Sequence, residues 1–174
     1  MIVKMENGAS DQEMKRDIVS AEAGKDTFYG DMQIDESSSD EEIAQFLNKY
    51  QNAVIAGLDS QVKSIYHKAE RNVAQQAQLE KAIADWDGKE GGEEIIEGLR
   101  KKFNMLTEQH IELVGGTPDN SSGKVGELEK QLDEAIHIKE AMQTNSKLFV
   151  DRNRAKVASL KAMRSVDGLV SLEA

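Results

Sequence analysis

The residues in this chain that could do chemistry are few, and their spacing decides what they can do. The imidazoles are His67, His110 and His137, each on a different predicted helix, and there is no cysteine. Glu134 and His137 form a Glu-x-x-His pair, half of the ligand set of a di-iron helical bundle. That site needs a second such pair and two further inward glutamates, and no second pair exists. Asp85-Trp86-Asp87-Gly88 begins like a calcium loop, but its sixth position would be Glu90 and its twelfth Ile96. A calcium loop requires glycine and a bidentate glutamate there. The run Gly116 to Lys124 imitates a phosphate loop. Gly116 lies two positions too far from Gly123, Pro118 replaces the needed glycine, and Val125 replaces the magnesium-binding hydroxyl. Asn120-Ser121-Ser122 is formally a glycosylation sequon, which carries meaning only behind a secretory signal. No serine, histidine and acid grouping stands out, and no paired carboxylates lie in an apolar context. The reading is a non-enzyme with no catalytic residue, no cofactor and no metal.

Composition narrows the partners. The 174 residues carry a net charge of −10, which argues against a nucleic-acid backbone and against an anionic membrane surface. No apolar run approaches a membrane span, and the opening Met-Ile-Val-Lys-Met-Glu-Asn-Gly lacks a signal-peptide core. The expected location is either cytoplasmic or extracellular by a route without a cleaved signal. Lacking cysteine, the chain has no disulfide, thiol nucleophile or cysteine-bound zinc. Charge is uneven. Residues 1–42 hold most of the excess acid, while Lys147, Arg152, Arg154, Lys156, Lys161 and Arg164 make the end locally basic. These ends could meet head to tail between subunits, or be two solvated faces.

The element that must position everything else runs from Ser39 to Trp86. Ile43, Leu47, Tyr50, Val54, Leu58, Val62, Ile65, Ala69 and Val73 recur in steps of three and four, one face of an α-helix. Ser39 with Glu42 forms a capping box, and no proline interrupts the stretch. The spacing predicts a nearly continuous helix over 40–85, which must lean on a partner because propensity alone does not hold it. Ile43, Val54 and Ile65 stand eleven apart, as do Leu47, Leu58 and Ala69, Val62 and Val73, and Ile138, Phe149 and Leu160. That spacing fits a straight or slightly right-handed seam, and an ordinary amphipathic bundle helix with some irregularity would show it too.

Residues 1–38 are polar, acidic and glycine-broken, a flexible segment with one short helix around Met14, Ile18 and Ala21, started by Ser10 and Glu13. Gly88, Gly91 and Gly92 end the long helix. A shorter third helix over 93–113 presents Ile95, Leu99, Phe103, Leu106 and His110, and Gly115 to Gly123 is a loop. From Lys124 a stripe of Val125, Leu128, Leu132, Ala135, Ile138 and Met142 continues through Phe149, Val157 and Leu160, with weak spots at Thr144 to Ser146 and at Asn153. The expected fold is all-α: a coiled-coil-like antiparallel hairpin of 40–86 with 124–168, in a helical domain spanning 39–174. Leu58 and Ile65 are expected to face Ile138 to Phe149.

Such a hairpin buries its stripes incompletely, so a homo-oligomer, a polymer or a complex with a helical chaperone or partner is expected. The residues expected to pack or assemble are Leu47, Val54, Leu58, Ile65, Val73, Ile138, Phe149 and Leu160, together with Val166, Leu169, Val170 and Leu172, which put apolar side chains on several faces of the tail. That tail either binds a neighbouring subunit or chaperone, or folds back on its own hairpin.

The layout resembles the extracellular filament and needle-tip subunits of bacterial type III secretion systems. The likeness rests on the polar N-terminus, the long Ser39–Asp85 helix, the glycine-rich centre Gly88–Gly123 and the long C-terminal helix. The texture of Lys68-Ala69-Glu70-Arg71-Asn72 and of Leu128 to Asn153 adds to it. The resemblance implies a subunit kept monomeric by a chaperone, passed unfolded through a channel and polymerised outside through its terminal helices. An intracellular coiled-coil adaptor or chaperone, or a phage or particle structural protein, would show the same helical pattern.

Overall fold

The computed structural model describes residues 33–161 and 171–174. Among them every regular element is helical and no strand occurs, as the periodicity predicts. The order is α1 Asp40–Trp86, α2 Gly92–Val114, α3 Gly123–Thr144, α4 Ser146–Asn153, a 3-10 turn Arg154–Lys156, and α5 Val157–Lys161. The expected helix around Met14 to Ala21 and the tail residues Val166, Leu169 and Val170 lie outside the described residues.

α1 runs 47 residues without a break. Its start is capped by the predicted pair: the Glu42 N–H donates to Ser39 Oγ at 3.2 Å, the first half of a capping box, while the hydroxyl rather than the Ser39 N–H donates to the Glu42 carboxylate, at 3.1 Å. Asp40, Glu41 and Glu42 place negative charge on the first turn, the sense the helix dipole favours. At the other end Gly88 and Gly91 take positive φ, which lets the chain reverse into α2 within a few residues.

The chain divides into two compact units, one holding the residues up to Ser60 and from Gln131 onward, the other Gln61–Lys130. In the first, α1 runs antiparallel to α3, α4 and α5. Gln51 donates its side-chain amide to the Ala135 carbonyl at 2.8 Å, while Asp40 pairs with Arg154. Ile34, Ile43, Phe46, Leu47, Tyr50, Met142, Phe149, Val150, Val157, Leu160 and Leu172 form one buried cluster, with Ala44, Val54 and Ile138 packed on its edge. The stretch Ile138 to Phe149 therefore meets the first turns of α1 and not Leu58 or Ile65; the expected register is corrected. Sequence periodicity fixes which face a helix presents but not how far it slides along its partner; here Gln51 bonds to Ala135 and Arg154 pairs with Asp40.

Burial shows both spacings, and Phe149 and Leu160 are buried eleven residues apart. Ile43 and Tyr50, Phe46 and Ala53, and Val62 and Ala69 are buried pairs seven residues apart. The eleven-residue step from Val62 reaches Val73, which is 51% exposed.

In the second unit α1 and α2 form an antiparallel hairpin, with Asn72 donating to the Leu106 carbonyl at 2.8 Å. Loop 115–122 closes on itself through Asn120, whose carbonyl accepts from Gly116 and Thr117 at 3.0 and 3.1 Å. The Asn120 side chain accepts the Gly123 N–H at 2.9 Å and so caps α3. Gly123 sits at φ +62, and a Cβ there would lie 2.6 Å from the backbone of Leu113.

The predicted weak spots are real breaks. At Asn145 the helix stops and restarts, its side chain accepting the Leu148 N–H at 3.1 Å, while Thr144 bonds back to the Glu140 carbonyl at 2.9 Å. Asn153 marks the passage from α4 into the 3-10 turn.

Two substitutions test this packing. Phe46→Ala opens a void at a fully buried site and is expected to cost about 3–5 kcal/mol in urea unfolding. Gly123→Ala combines a left-handed conformation, costing about 1–2 kcal/mol for a residue with a Cβ, with a backbone clash. It should destabilise the chain in the same assay, whereas Gly57→Ala, which meets nothing within 4 Å, should not.

Candidate interaction surfaces

Four of the basic residues near the end, Arg152, Arg154, Lys156 and Lys161, tie two extended segments to their own unit. Arg154 donates to the Glu36 carbonyl at 2.9 Å and to the Ser38 carbonyl at 2.7 Å, and pairs with the Asp40 carboxylate. Lys161 donates to the Ile34 carbonyl at 2.9 Å. On the other side Asn153, fully buried, reads the tail by both edges of one residue's backbone. Its Nδ2 donates to the Glu173 carbonyl at 2.8 Å and its Oδ1 accepts the Glu173 N–H at 2.7 Å. The same Nδ2 also donates to the Phe149 carbonyl at 2.8 Å. Arg152 donates to the Ala174 carbonyl and Lys156 to that of Ser171, with the Glu173 carboxylate 3.8 Å from the Lys156 ammonium.

Each segment is anchored by one aliphatic side chain, Ile34 and Leu172, both 5% exposed in the core. Burying one leucine contributes about 1.5–3 kcal/mol, and the charge-assisted bonds from Arg152 and Lys156 add to it. Beside Ala174 the surface continues as an open cleft of about 340 Å³ lined by His137, Ala141, Leu148, Phe149 and Arg152 among others.

The turn leading into α1 has its own electrostatics. The Ser37 hydroxyl and N–H both donate to the Asp35 carboxylate and hold its carboxyl below the ordinary value, with the Lys161 charge acting in the same sense.

The second unit is polar and thinly packed by contrast. Tyr66 donates its hydroxyl to the Glu129 carboxylate, and that bond, with burial adding to it, raises the phenol above its ordinary value. A groove of about 380 Å³ runs between α1 and α2, lined by Lys68, Arg71, Asn72, Gln75, Leu106, Gln109, Glu112 and Leu113. In all 23 residues of α2 only Gly92 is buried. Its stripe of Ile96, Leu99, Phe103 and Leu106 is half-covered, Ile95 is exposed, and Met105 is 58% exposed.

The residues expected to pack are distributed unevenly. Leu47, Phe149, Leu160 and Leu172 are in the core of the first unit, and Val54 and Ile138 line its edge. Leu58 and Ile65 are half-buried, one in each unit, and Val73 is exposed. For Leu172 the structure gives the fold-back alternative. Periodicity missed Phe46 and Val150, both fully buried, although Phe46 lies three residues from Ile43 and four from Tyr50. It missed Asn153 as a site, although a polar residue in step with Phe149, Val157 and Leu160 signals a buried network.

Among the described residues no three His, Asp or Glu side chains gather to hold a metal ion. His137 lies instead 3.6 Å from Glu140, an exposed pair that contributes little. No described helix is long and apolar enough to cross a membrane. No family model, curated protein or solved structure matches the chain.

Acid should loosen the turn at Asp35. Its folded-state pKa is depressed below 3.8, so its contribution is present above that value and is lost as pH falls through the folded one. Proteolysis or amide exchange at 34–38 is expected to rise in that window, and Asp35→Asn should show the loosened turn already at neutral pH.

Proposed function

We propose that this protein is a non-enzymatic structural or interaction protein that associates through helices, with the hairpin of residues 61–114 as its working surface. The observation that carries this reading is α2. An amphipathic helix of that length buries its apolar stripe when it serves only its own fold, and α2 buries no side chain fully. A helix alone is marginal in water, and half-covered aliphatic and aromatic side chains are what an incoming helix covers. A second copy or a partner helix laid on this hairpin would complete its packing.

The finer form of the reading is an exported filament or tip subunit of a type III secretion system. It rests on the architectural resemblance, together with the all-α hairpin and the absence of cysteine. Assembly in that form through the terminal helices would require Leu172 and Arg154 to give up partners they already hold in the first unit, which favours the hairpin as the first contact.

Val73 and Met105 are the test residues, because both are more than half exposed and exposed substitutions leave stability within about 0.5 kcal/mol. Light scattering of the purified protein, followed by negative-stain microscopy, is expected to show association that Val73→Lys with Met105→Lys abolishes at unchanged melting temperature. Fibres favour the filament, and a dimer or a 1:1 complex favours an adaptor or chaperone. A monomer at all accessible concentrations, with no helical partner captured by 61–114, would contradict the reading.

A further inference from the structure

The segments at the two ends of the first unit are docked by the same chemistry. Ile34-Asp35 and Leu172-Glu173 are each an aliphatic residue followed by an acid, with the aliphatic side chain buried to the same degree. Both are held through main-chain carbonyls by cationic side chains from 152–161, Lys161 on Ile34 and Lys156 and Arg152 on the tail. Asn153 adds the two-point backbone reading that a side-chain amide can make to any extended segment. A fully buried asparagine with both functional edges spent on a four-residue strap forms a peptide site, with a leucine pocket, a backbone reader and a cationic flank.

We propose that this groove also takes the 171–174 segment of a second copy, so that two chains exchange tails. The second copy brings an identical leucine, backbone and acid, so exchange needs no complementarity beyond that already visible. The strap is anchored by one side chain, and a neighbour's strap would make the same contacts, so an identical segment competes for the groove. The cationic flank of Arg152 and Lys156 attracts the acidic tail of either chain. The proposal is independent of the hairpin surface: it involves only residues of the first unit.

Two full-length variants separate donor from acceptor. Leu172→Asp spoils the tail and leaves the groove empty; Arg152→Glu with Lys156→Glu spoils the groove and frees the tail. Sedimentation velocity should find each variant without exchange dimers and their equimolar mixture forming a 1:1 complex. A labelled peptide with the sequence of residues 169–174 should bind the Leu172→Asp chain at least tenfold more tightly than the unaltered chain, whose own tail competes. Asn153→Ala, placed in the Leu172→Asp chain, should remove that binding. Circular dichroism checks that each variant is folded, and if the groove variant is not, Asn153→Ala alone serves as the tail donor. The proposal is overturned if the folded Leu172→Asp chain does not bind the peptide, or if it binds the peptide but the mixture stays monomeric. Persistence of the mixed complex with Val73→Lys and Met105→Lys in both chains would keep this contact distinct from the hairpin one.

Discussion

One interaction fixes the rest of the first unit: the burial of Ile43, Phe46, Leu47 and Tyr50 of α1 against Phe149, Val150, Val157 and Leu160. All of these side chains except Tyr50 are fully buried, and the largest of them are Phe46 and Phe149. With only 5% aromatic residues in the chain, two such rings in one cluster concentrate much of the available apolar area. The breaks at Asn145 and Asn153 belong to the same constraint. An uninterrupted helix would carry its stripe around the axis, whereas restarting at Asn145 and tightening at 154–156 keeps Phe149, Val157 and Leu160 on the face toward α1.

That core is closed by polar bonds at its rim. Arg154 bonds Asp40 and the carbonyls of Glu36 and Ser38, and charged hydrogen bonds of this kind are stronger than neutral ones. Removing Arg154 would leave Asp40 and two carbonyls to water, a modest loss at a partly exposed site. Asn153 is different. Inside the unit its amide has no water to fall back on, so losing either the Phe149 or the Glu173 partner leaves a buried polar atom unsatisfied. The device that makes the tail specific also makes its absence costly.

Much of this was legible in the sequence. The capping box at Ser39, the extent of α1, the glycine turn at 88–92, the loop at 115–123 and the breaks near Asn145 and Asn153 are local features, decided by residues within a turn of one another. The slide of one helix along another was not legible, because Leu58 and Phe46 are equally apolar and the contacts that distinguish them, such as Gln51 to Ala135 and Arg154 to Asp40, join residues distant in sequence. The exposure of Val73 was not legible either: the eleven-residue step joins buried Phe149 to buried Leu160 but in α1 it ends on an exposed side chain. Of the interaction surfaces, the apolar tail and the basic cluster were visible as compositions. That Leu172 is buried in the core beside a backbone held by Arg152 and Lys156 required the three-dimensional arrangement.

Stability therefore resides in the first unit, and the hairpin 61–114 is left incompletely covered in the single chain. Native-state amide exchange measures that division directly, since amides released only by global unfolding mark the core and those released by smaller openings mark elements that are thinly packed. The slowest exchange is expected at 43–54 and 149–160, with exchange over 96–112 that is faster at low concentration and slows when the protein associates. Protection over 96–112 equal to that of the core in the isolated monomer would contradict this division.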